Sequence, residues 1–295
     1  MGDCRHVLAE LPANSVDLIM TSPPYADARR NSYGGVRPQE YVEWFLPISE
    51  ELQRVLKPSG TFILNIKEKA VAGERHPYVL ELILALRQQG WLWTEEFIWH
   101  KKNAMPGKWP NRLRDAWERV LQFNKRREFA MYQEAVMVPA KPSTVVRGRH
   151  VRPQDQVRED SRTGSRFGWT RAQLAGRDWV YPDNVLHLAT ETSNGRHSAA
   201  FPEALPAWFI RLFTSPGDVV LDPFAGSGTT SLAAKRLSRR SIGIEQHHRY
   251  CVVARQRLRS IETPASPTCG SGGSQCRLGR PPAASLQRRD ETGAS

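Results

Sequence analysis

The sequence has few cysteines and no long apolar run. Four cysteines occur among 295 residues, and none stands in a Cys-x-x-Cys pair, so neither a disulfide framework nor a metal site is expected and a reducing cytoplasm fits. No apolar stretch approaches the length of a membrane span. The start, MGDCRHVLAEL, lacks the basic and then apolar segments of a signal peptide. A membrane-spanning or disulfide-rich secreted protein is therefore not expected.

Acidic residues are scarce in one part of the chain. The net charge is +12, and residues 101–180 carry 18 basic but only 8 acidic residues, whereas residues 1–100 carry 10 basic and 13 acidic ones. So concentrated a positive charge favours a polyanionic partner, most simply nucleic acid. On charge alone, a merely solvated surface is the alternative interpretation.

Short apolar runs alternate with helical patterns in both halves of the chain. SVDLIM (15–20) and TFILNI (61–66) are predicted strands, and the helix in EYVEWFLPISEELQRVLKPSG is expected to end at Pro58 and Gly60. PYVLELILALRQQG predicts a second helix, and WTEEFIWHKK a strand. From about residue 201 the order is helix, strand, glycine turn, helix, strand and helix. This alternation predicts an α/β fold with a mostly parallel sheet.

Regular periodicity is missing between 103 and 183. Trp, Arg, Pro and Gly dominate there, and so long an irregular stretch is unusual inside a compact domain. We expect an inserted basic module at 103–183, with VRGRHVRPQDQVREDSRTGSRFG as its most flexible part. It separates one half of the main domain, 1–102, from the other, 184–262. The tail, 263–295, is expected to be disordered.

The run VVLDPFAGSGTT predicts a ligand site where a strand ends. Asp222 closes the strand, Gly226 and Gly228 let a ligand approach the backbone, and Thr229 opens a helix. About 20 residues later, Glu245 can accept both hydroxyls of a ribose. No Lys follows Gly228 as a P-loop requires, and the third glycine of a nicotinamide site is absent. An acid at 222 suits a cationic group such as the α-amino group of methionine, which indicates S-adenosylmethionine.

The run TSPPY interrupts a predicted buried strand. Neither Pro23 nor Pro24 can donate to a sheet ladder, and Pro24 restricts Pro23 to extended backbone. We expect a stiff strand exit that carries Ser22 and Tyr25. A simple strand-capping turn is the alternative for this motif taken alone.

Taken together, TSPPY and DPFAGSGTT, with the basic region between them, resemble the β group of amino-methylating DNA methyltransferases over about residues 2–258. The resemblance implies a class I S-adenosylmethionine-dependent methyltransferase fold, with a seven-stranded, mostly parallel sheet that has one antiparallel strand. It implies S-adenosylmethionine as cofactor and double-stranded DNA as substrate. It also implies that Asp3 contacts the cofactor adenine and that Phe224 belongs to the cofactor-binding motif.

The implied reaction is methyl transfer to an exocyclic amino nitrogen of an extruded base. Ser22 Oγ and the Pro23 carbonyl would accept hydrogen bonds from that amine, Pro24 would hold them rigid, and Tyr25 would stack on the base. The Ser form of the motif is typical of cytosine-N4 enzymes and the Asp form of adenine-N6 enzymes, so adenine-N6 remains the alternative. Cytosine-C5 chemistry is disfavoured because no cysteine lies in a Pro-Cys loop. A catalytically silent DNA-binding protein is the alternative from another class.

Arginines and tryptophans interleave within the basic module, as expected of a target-recognition region. Lys101 and Lys102 follow the strand expected to face the base, and Arg112 and Arg114 begin the arginine-rich stretch. We expect these four residues to contact DNA. The resemblance is also consistent with a restriction–modification pair in a prokaryotic cell, near the nucleoid, with a cognate restriction endonuclease as partner.

Overall fold

A computed structural model describes residues 1–27, 35–104, 107–108, 110–143, 158–159, 163–164, 166–167, 179–191 and 201–261. The chain divides into two compact units. The first comprises Met1–Val136 and the chain from Asp183 to the last helix, and the second comprises Met137–Pro182.

Seven strands form the main sheet of the first unit: β1 (Val16–Thr21), β2 (Leu56–Ile66), β3 (Leu92–Lys101), β4 (Trp117–Asn124), β5 (Val185–Leu188), β6 (Val219–Asp222) and β7 (Arg240–Gly243). The described helices of this unit are α1 (Cys4–Glu10), α2 (Tyr41–Val55), α3 (Tyr78–Gln88), α4 (Ala204–Phe213), α5 (Thr229–Arg236) and α6 (His248–Arg259), with short 3-10 turns at Pro38–Glu40 and Gln133–Val136. None of the described helices is long and apolar enough to cross a membrane.

The strand order is β5-β3-β4-β2-β1-β6-β7. Strand β4 runs antiparallel to both of its neighbours, and the other neighbouring pairs are parallel. The expected mostly parallel, seven-stranded sheet with one antiparallel strand is therefore confirmed. Strands β1 and β6 are neighbours although about 200 residues separate Leu18 from its partner Val220. The two sequence motifs, which follow these strands, therefore meet at the carboxyl ends of two adjacent strands inside the sheet.

Strand β1 is apolar on both faces because both faces of the sheet are covered. Ile19 packs into one buried cluster with residues of α1, α2 and α3. Leu18 and Met20 point the other way, into a second cluster with residues of α4 and α5. An almost continuous apolar run is what such a doubly covered parallel strand requires.

The expected end of the helix in the first half needs correction. Helix α2 ends at Val55, and β2 begins at Leu56, so Pro58 and Gly60 lie within the strand and do not end the helix. Gly60 is needed for close packing, since a Cβ atom there would lie 2.8 Å from the Asp17 carbonyl oxygen.

The expected module 103–183 also differs from the structure at its start. Trp117–Asn124 forms β4 inside the main sheet, and the second compact unit begins only at Met137. The mixed composition hid this strand, because its charged and amide residues interrupt the apolar pattern. Within the second unit, Val138–Pro139 pairs with Trp179–Val180, and Arg158–Glu159 pairs with Arg166–Phe167. The tail from 263 and most of VRGRHVRPQDQVREDSRTGSRFG lie outside the described residues.

Candidate active site

A cavity of about 350 Å³ opens where β1 and β6 end. Ser22–Tyr25 form one wall and Asp222–Ser227 another, with Asp3 and Glu245 also in the lining. In open α/β sheets this carboxyl edge is the usual place for a ligand, and the volume suits a small organic molecule. The two motifs that are about 200 residues apart in sequence therefore share one cavity.

Asp222 lines the cavity and joins the two motifs by hydrogen bonds. The residue is 3% exposed, and its carboxylate accepts hydrogen bonds from Thr21 Oγ1 at 2.7 Å, Thr230 Oγ1 at 2.7 Å and the Phe224 backbone N–H at 3.1 Å. Burial raises its pKa to about 6, although these three donors act in the opposite direction. The carboxylate thus fixes the strand exit and the glycine turn relative to each other, and it adds negative character to the cavity wall.

Glu245 lies two residues beyond the end of β7 rather than within the strand. Its Oε2 accepts the Gly226 N–H at 2.9 Å, and its Oε1 accepts the His247 N–H at 2.8 Å. Two backbone donors therefore fix the carboxylate, and each oxygen keeps a lone pair for a further donor such as a ligand hydroxyl.

The two glycines of the turn have different surroundings. Gly226 has φ +50° and lines the cavity, and nothing lies within 4 Å of the Cβ it lacks. Gly228 has φ +80° and does not line the cavity, and a Cβ there would lie 2.9 Å from Ala254 Cβ in α6. Gly228 therefore does not border the cavity, and its missing side chain makes room for a helix.

The first turn of α1 forms another part of the cavity wall. Asp3 caps α1 by accepting the Arg5 N–H at 2.9 Å, and its side chain pairs with that of Arg5, which lowers the pKa of Asp3 to about 2. The Gly2 N–H donates to the Glu245 carbonyl oxygen at 3.0 Å, which joins this segment to the end of β7. Cys4 also lines the cavity, but burial raises its pKa to about 12, so its thiol remains protonated.

The strand exit after β1 is anchored by the first residue of α2. Tyr41 Oη donates to the Pro24 carbonyl oxygen at 2.9 Å, and Pro23 is buried. Across the cavity wall the Phe224 ring packs against Trp44 with centroids 5.8 Å apart. The prolines restrict the backbone and Tyr41 anchors it, so the strand exit holds Ser22 at the cavity wall.

Tyr25 is bound to a polar network that was not foreseen. Its hydroxyl donates to Glu118 Oε2 at 2.7 Å, and Ser22 Oγ donates to Tyr25 Oη at 3.1 Å. Asn65 Nδ2 also donates to Glu118 Oε2, at 3.2 Å. Burial and the Glu118 charge raise the pKa of Tyr25 well above its usual range, so the phenol stays protonated. The ring borders the cavity while its hydroxyl is held on the protein side.

The four expected DNA contacts have different surroundings. Lys101 Nζ lies 2.5 Å from Glu118 Oε1 and is largely buried, so it is held toward the network and not toward solvent. Lys102 and Arg114 are exposed, as the expectation requires. Arg112 is partly buried with Asp115 3.8 Å away, and it shares a shallow surface depression with Arg114. Trp109, Arg147, Arg149 and Arg152 lie outside the described residues.

Several residues around the site escaped the sequence analysis. Asn65 lies in the apolar run TFILNI, where a lone polar residue is a signal that could have been followed, whereas Glu118 lies in a strand of mixed composition and gave no such signal. Arg257 in α6 donates to the Ser227 carbonyl oxygen at 2.9 Å and to Thr229 Oγ1 at 3.2 Å, so the last helix supports the glycine turn. Among the described residues no cluster of three His, Cys, Asp or Glu side chains could hold a metal ion.

The polar and apolar groups that line the cavity fit S-adenosylmethionine. Glu245 offers a fixed carboxylate for hydroxyls, Asp222 and Asp3 supply negative charge for cationic or N–H groups, and Gly226 leaves the backbone open to close approach. Phe224 and Trp44 add an apolar wall. Polar anchors in a partly apolar cavity are typical of a cofactor site.

Known proteins resemble this chain in sequence. A family model described as DNA methylase matches residues 16–256. The type II methyltransferase M.PvuII of Proteus hauseri is 29% identical over 285 residues, which cover 86% of this chain and 81% of that protein. The type II methyltransferase M.BglII of Bacillus subtilis is 28% identical over 260 residues, which cover 87% of this chain and 67% of that protein.

Solved structures agree with the fold. The PvuII DNA methyltransferase (cytosine-N4-specific) superposes with a TM-score of 0.65 at 27% identity, covering 90% of this chain and 86% of that one. TTHA0409 of Thermus thermophilus, in complex with S-adenosyl-L-methionine, gives a TM-score of 0.58 at 25% identity, covering 90% of this chain and 94% of that one. The expected class I S-adenosylmethionine-dependent methyltransferase fold is confirmed.

Proposed function

Because the chain belongs to the DNA methylase family, we propose that it is a site-specific DNA methyltransferase that acts on the exocyclic N4 of cytosine in double-stranded DNA. Its cofactor is S-adenosylmethionine, and the target base leaves the duplex before direct displacement. The observation that carries this proposal is the single cavity in which the TSPPY strand exit and the glycine turn meet.

The cofactor supplies an electrophilic methyl group on a sulfonium centre. Glu245 would hold the ribose hydroxyls, because two backbone N–H groups already fix its carboxylate. Asp3 would face the adenine, and Asp222 would stabilise the positive charge of the amino acid part through the turn that it organises. Three further residues would contact the cofactor: Phe224, Gly226 and Thr229. Gly228 would act indirectly, because its missing side chain lets α6 pack against the glycine turn.

The strand exit would make the target amine reactive. An exocyclic amino nitrogen is a poor nucleophile, because its lone pair is delocalised into the ring. Ser22 Oγ and the Pro23 carbonyl would accept its hydrogens, which favours a nitrogen with an available lone pair. Because the prolines and Tyr41 hold this backbone, the acceptors need no reorganisation during the reaction. The Tyr25 ring would stack on the extruded base, which offsets part of the cost of flipping.

Cytosine is the base that the sequence favours. The motif has Ser22 where adenine-N6 enzymes more often have Asp, and the similar PvuII enzyme is described as cytosine-N4-specific. The second unit would then be the core of the target-recognition region, with Lys102, Arg112 and Arg114 as further DNA contacts. Similarity to type II methyltransferases also supports a cognate restriction endonuclease as partner, in the cytoplasm of a prokaryotic cell.

Tritiated S-adenosylmethionine and duplex DNA test the activity directly. We expect the purified protein to transfer label to DNA that contains its recognition sequence, and Ser22→Ala to transfer far less. Cofactor binding without any transfer to a genomic mixture of sites would instead identify a catalytically silent DNA-binding protein.

A further inference from the structure

We propose that Glu118 is a positioning residue for methyl transfer: through Tyr25 it sets the direction of the Ser22 hydrogen bond, so that the lone pairs of Ser22 Oγ face the target amine. The inference rests on the proposed function and deepens it by adding a residue outside both sequence motifs.

Glu118 is a buried carboxylate with a complete set of donors. It lies on β4 and is 6% exposed. Oε1 accepts from Lys101 Nζ at 2.5 Å, and Oε2 accepts from Tyr25 Oη at 2.7 Å and Asn65 Nδ2 at 3.2 Å. A buried carboxylate is tolerated only with such partners, and when ionised it can only accept hydrogen bonds.

These contacts favour one arrangement of the hydroxyl hydrogens. Tyr25 has a single hydrogen and two acceptors in reach, Glu118 Oε2 at 2.7 Å and Asn65 Oδ1 at 3.3 Å. The shorter bond to a charged acceptor is the stronger one, so Tyr25 donates to Glu118. Its oxygen is then free to accept from Ser22 Oγ at 3.1 Å.

The consequence for Ser22 is a fixed polarity. With its only hydrogen directed to Tyr25, Ser22 Oγ presents lone pairs elsewhere, and Ser22 borders the cavity while Glu118 does not. Without an anionic acceptor behind Tyr25, the phenol could donate to Ser22 instead. The serine hydrogen could then point into the cavity, where it would oppose an N–H of the incoming amine.

A purely structural role is the competing explanation. Glu118 links three strands, since Lys101 lies on β3 and Asn65 on β2. Loss of that linkage alone would lower stability and would weaken cofactor and DNA binding together with turnover. The orientation of Ser22 predicts a different pattern, because it is needed only for the chemical step.

The test compares Glu118→Gln, Tyr25→Phe and the double variant with the wild type in steady-state methylation, with cofactor affinity from calorimetry. Phe keeps the ring for stacking but removes the relay oxygen. We expect each single substitution to lower kcat by about tenfold to a hundredfold, the range for a lost hydrogen bond to a charged group. The DNA KM and the cofactor Kd should stay within about twofold. In the Tyr25→Phe background, Glu118→Gln should change kcat by less than about twofold, because the relay is already cut.

Glu96→Gln is the matched control, since Glu96 lies on β3 and pairs with Arg119 outside this network. It should leave kcat unchanged. Losses that multiply in the double variant, a loss of cofactor affinity or of DNA binding that accompanies or replaces the loss of kcat, or an unchanged kcat in Glu118→Gln would overturn the inference. If Glu118→Gln does not fold, an unchanged kcat in Tyr25→Phe would overturn it alone. A wild-type protein that transfers no methyl group would instead refute the proposed function, and the inference with it.

Discussion

The buried Asp222 carboxylate should make stability depend on pH in a predictable direction. Burial raises its pKa from 3.8 to about 6, so the folded protein binds this proton more tightly than the unfolded chain does. The contribution of the proton to stability is fully present below about pH 4 and is lost as the pH rises through about 6. The difference between the two pKa values corresponds to at most about 3 kcal/mol.

Asp222→Asn isolates this effect because the amide stays neutral at every pH. Urea unfolding, followed by circular dichroism between about pH 4 and pH 8 without cofactor, gives the free energy of unfolding of both proteins. The wild type should lose up to about 3 kcal/mol relative to Asp222→Asn over that range. Thr230→Val removes a donor that lowers the Asp222 pKa, so it should extend the loss to higher pH. A difference that does not change with pH would refute the reasoning.

Three further predictions concern the site. Ser22→Ala should lower kcat by about tenfold or more and leave the cofactor Kd nearly unchanged; an equal loss of cofactor affinity, measured by calorimetry, would contradict the role of Ser22. Gly228→Ala should destabilise by about 1–3 kcal/mol through its positive φ and its contact with α6, whereas Gly226→Ala should cost less stability but more cofactor affinity; thermal melts with and without cofactor would reveal a reversed order. DNA affinity should fall steeply with salt, and Lys102→Ala or Arg114→Ala should each reduce the slope of log K against log salt by about 1; an unchanged slope would remove that residue from the interface.

The parts of the fold with local signals could be predicted. The β1 and β6 runs, the α3 helix closed by Gly90 with φ +97°, and the spacing from Asp222 to Glu245 each depend on residues close in sequence. The shared cavity followed from one further rule, that parallel strands end at the same edge of a sheet.

The parts that depend on strand pairing could not be predicted. Glu118 meets Tyr25 only because β4 is inserted antiparallel beside β2, where Asn65 pairs with Val120, and no local pattern sets that register. Lys101 was expected to contact DNA, but the structure pairs it with Glu118. That pairing also depends on the position of β4, which no local pattern indicates. Gly60 and Gly228 looked like a helix end and a ligand contact, but both permit close packing, which depends on distant neighbours.

The central claim is that the cavity brings the activated methyl group to an exocyclic amine of cytosine. Digesting enzymatically methylated duplex DNA to nucleosides and identifying the modified base by mass spectrometry tests it most directly. The account predicts N4-methylcytosine, which disappears with Ser22→Ala. Enzyme-dependent methylation found only as N6-methyladenine or as 5-methylcytosine would contradict it.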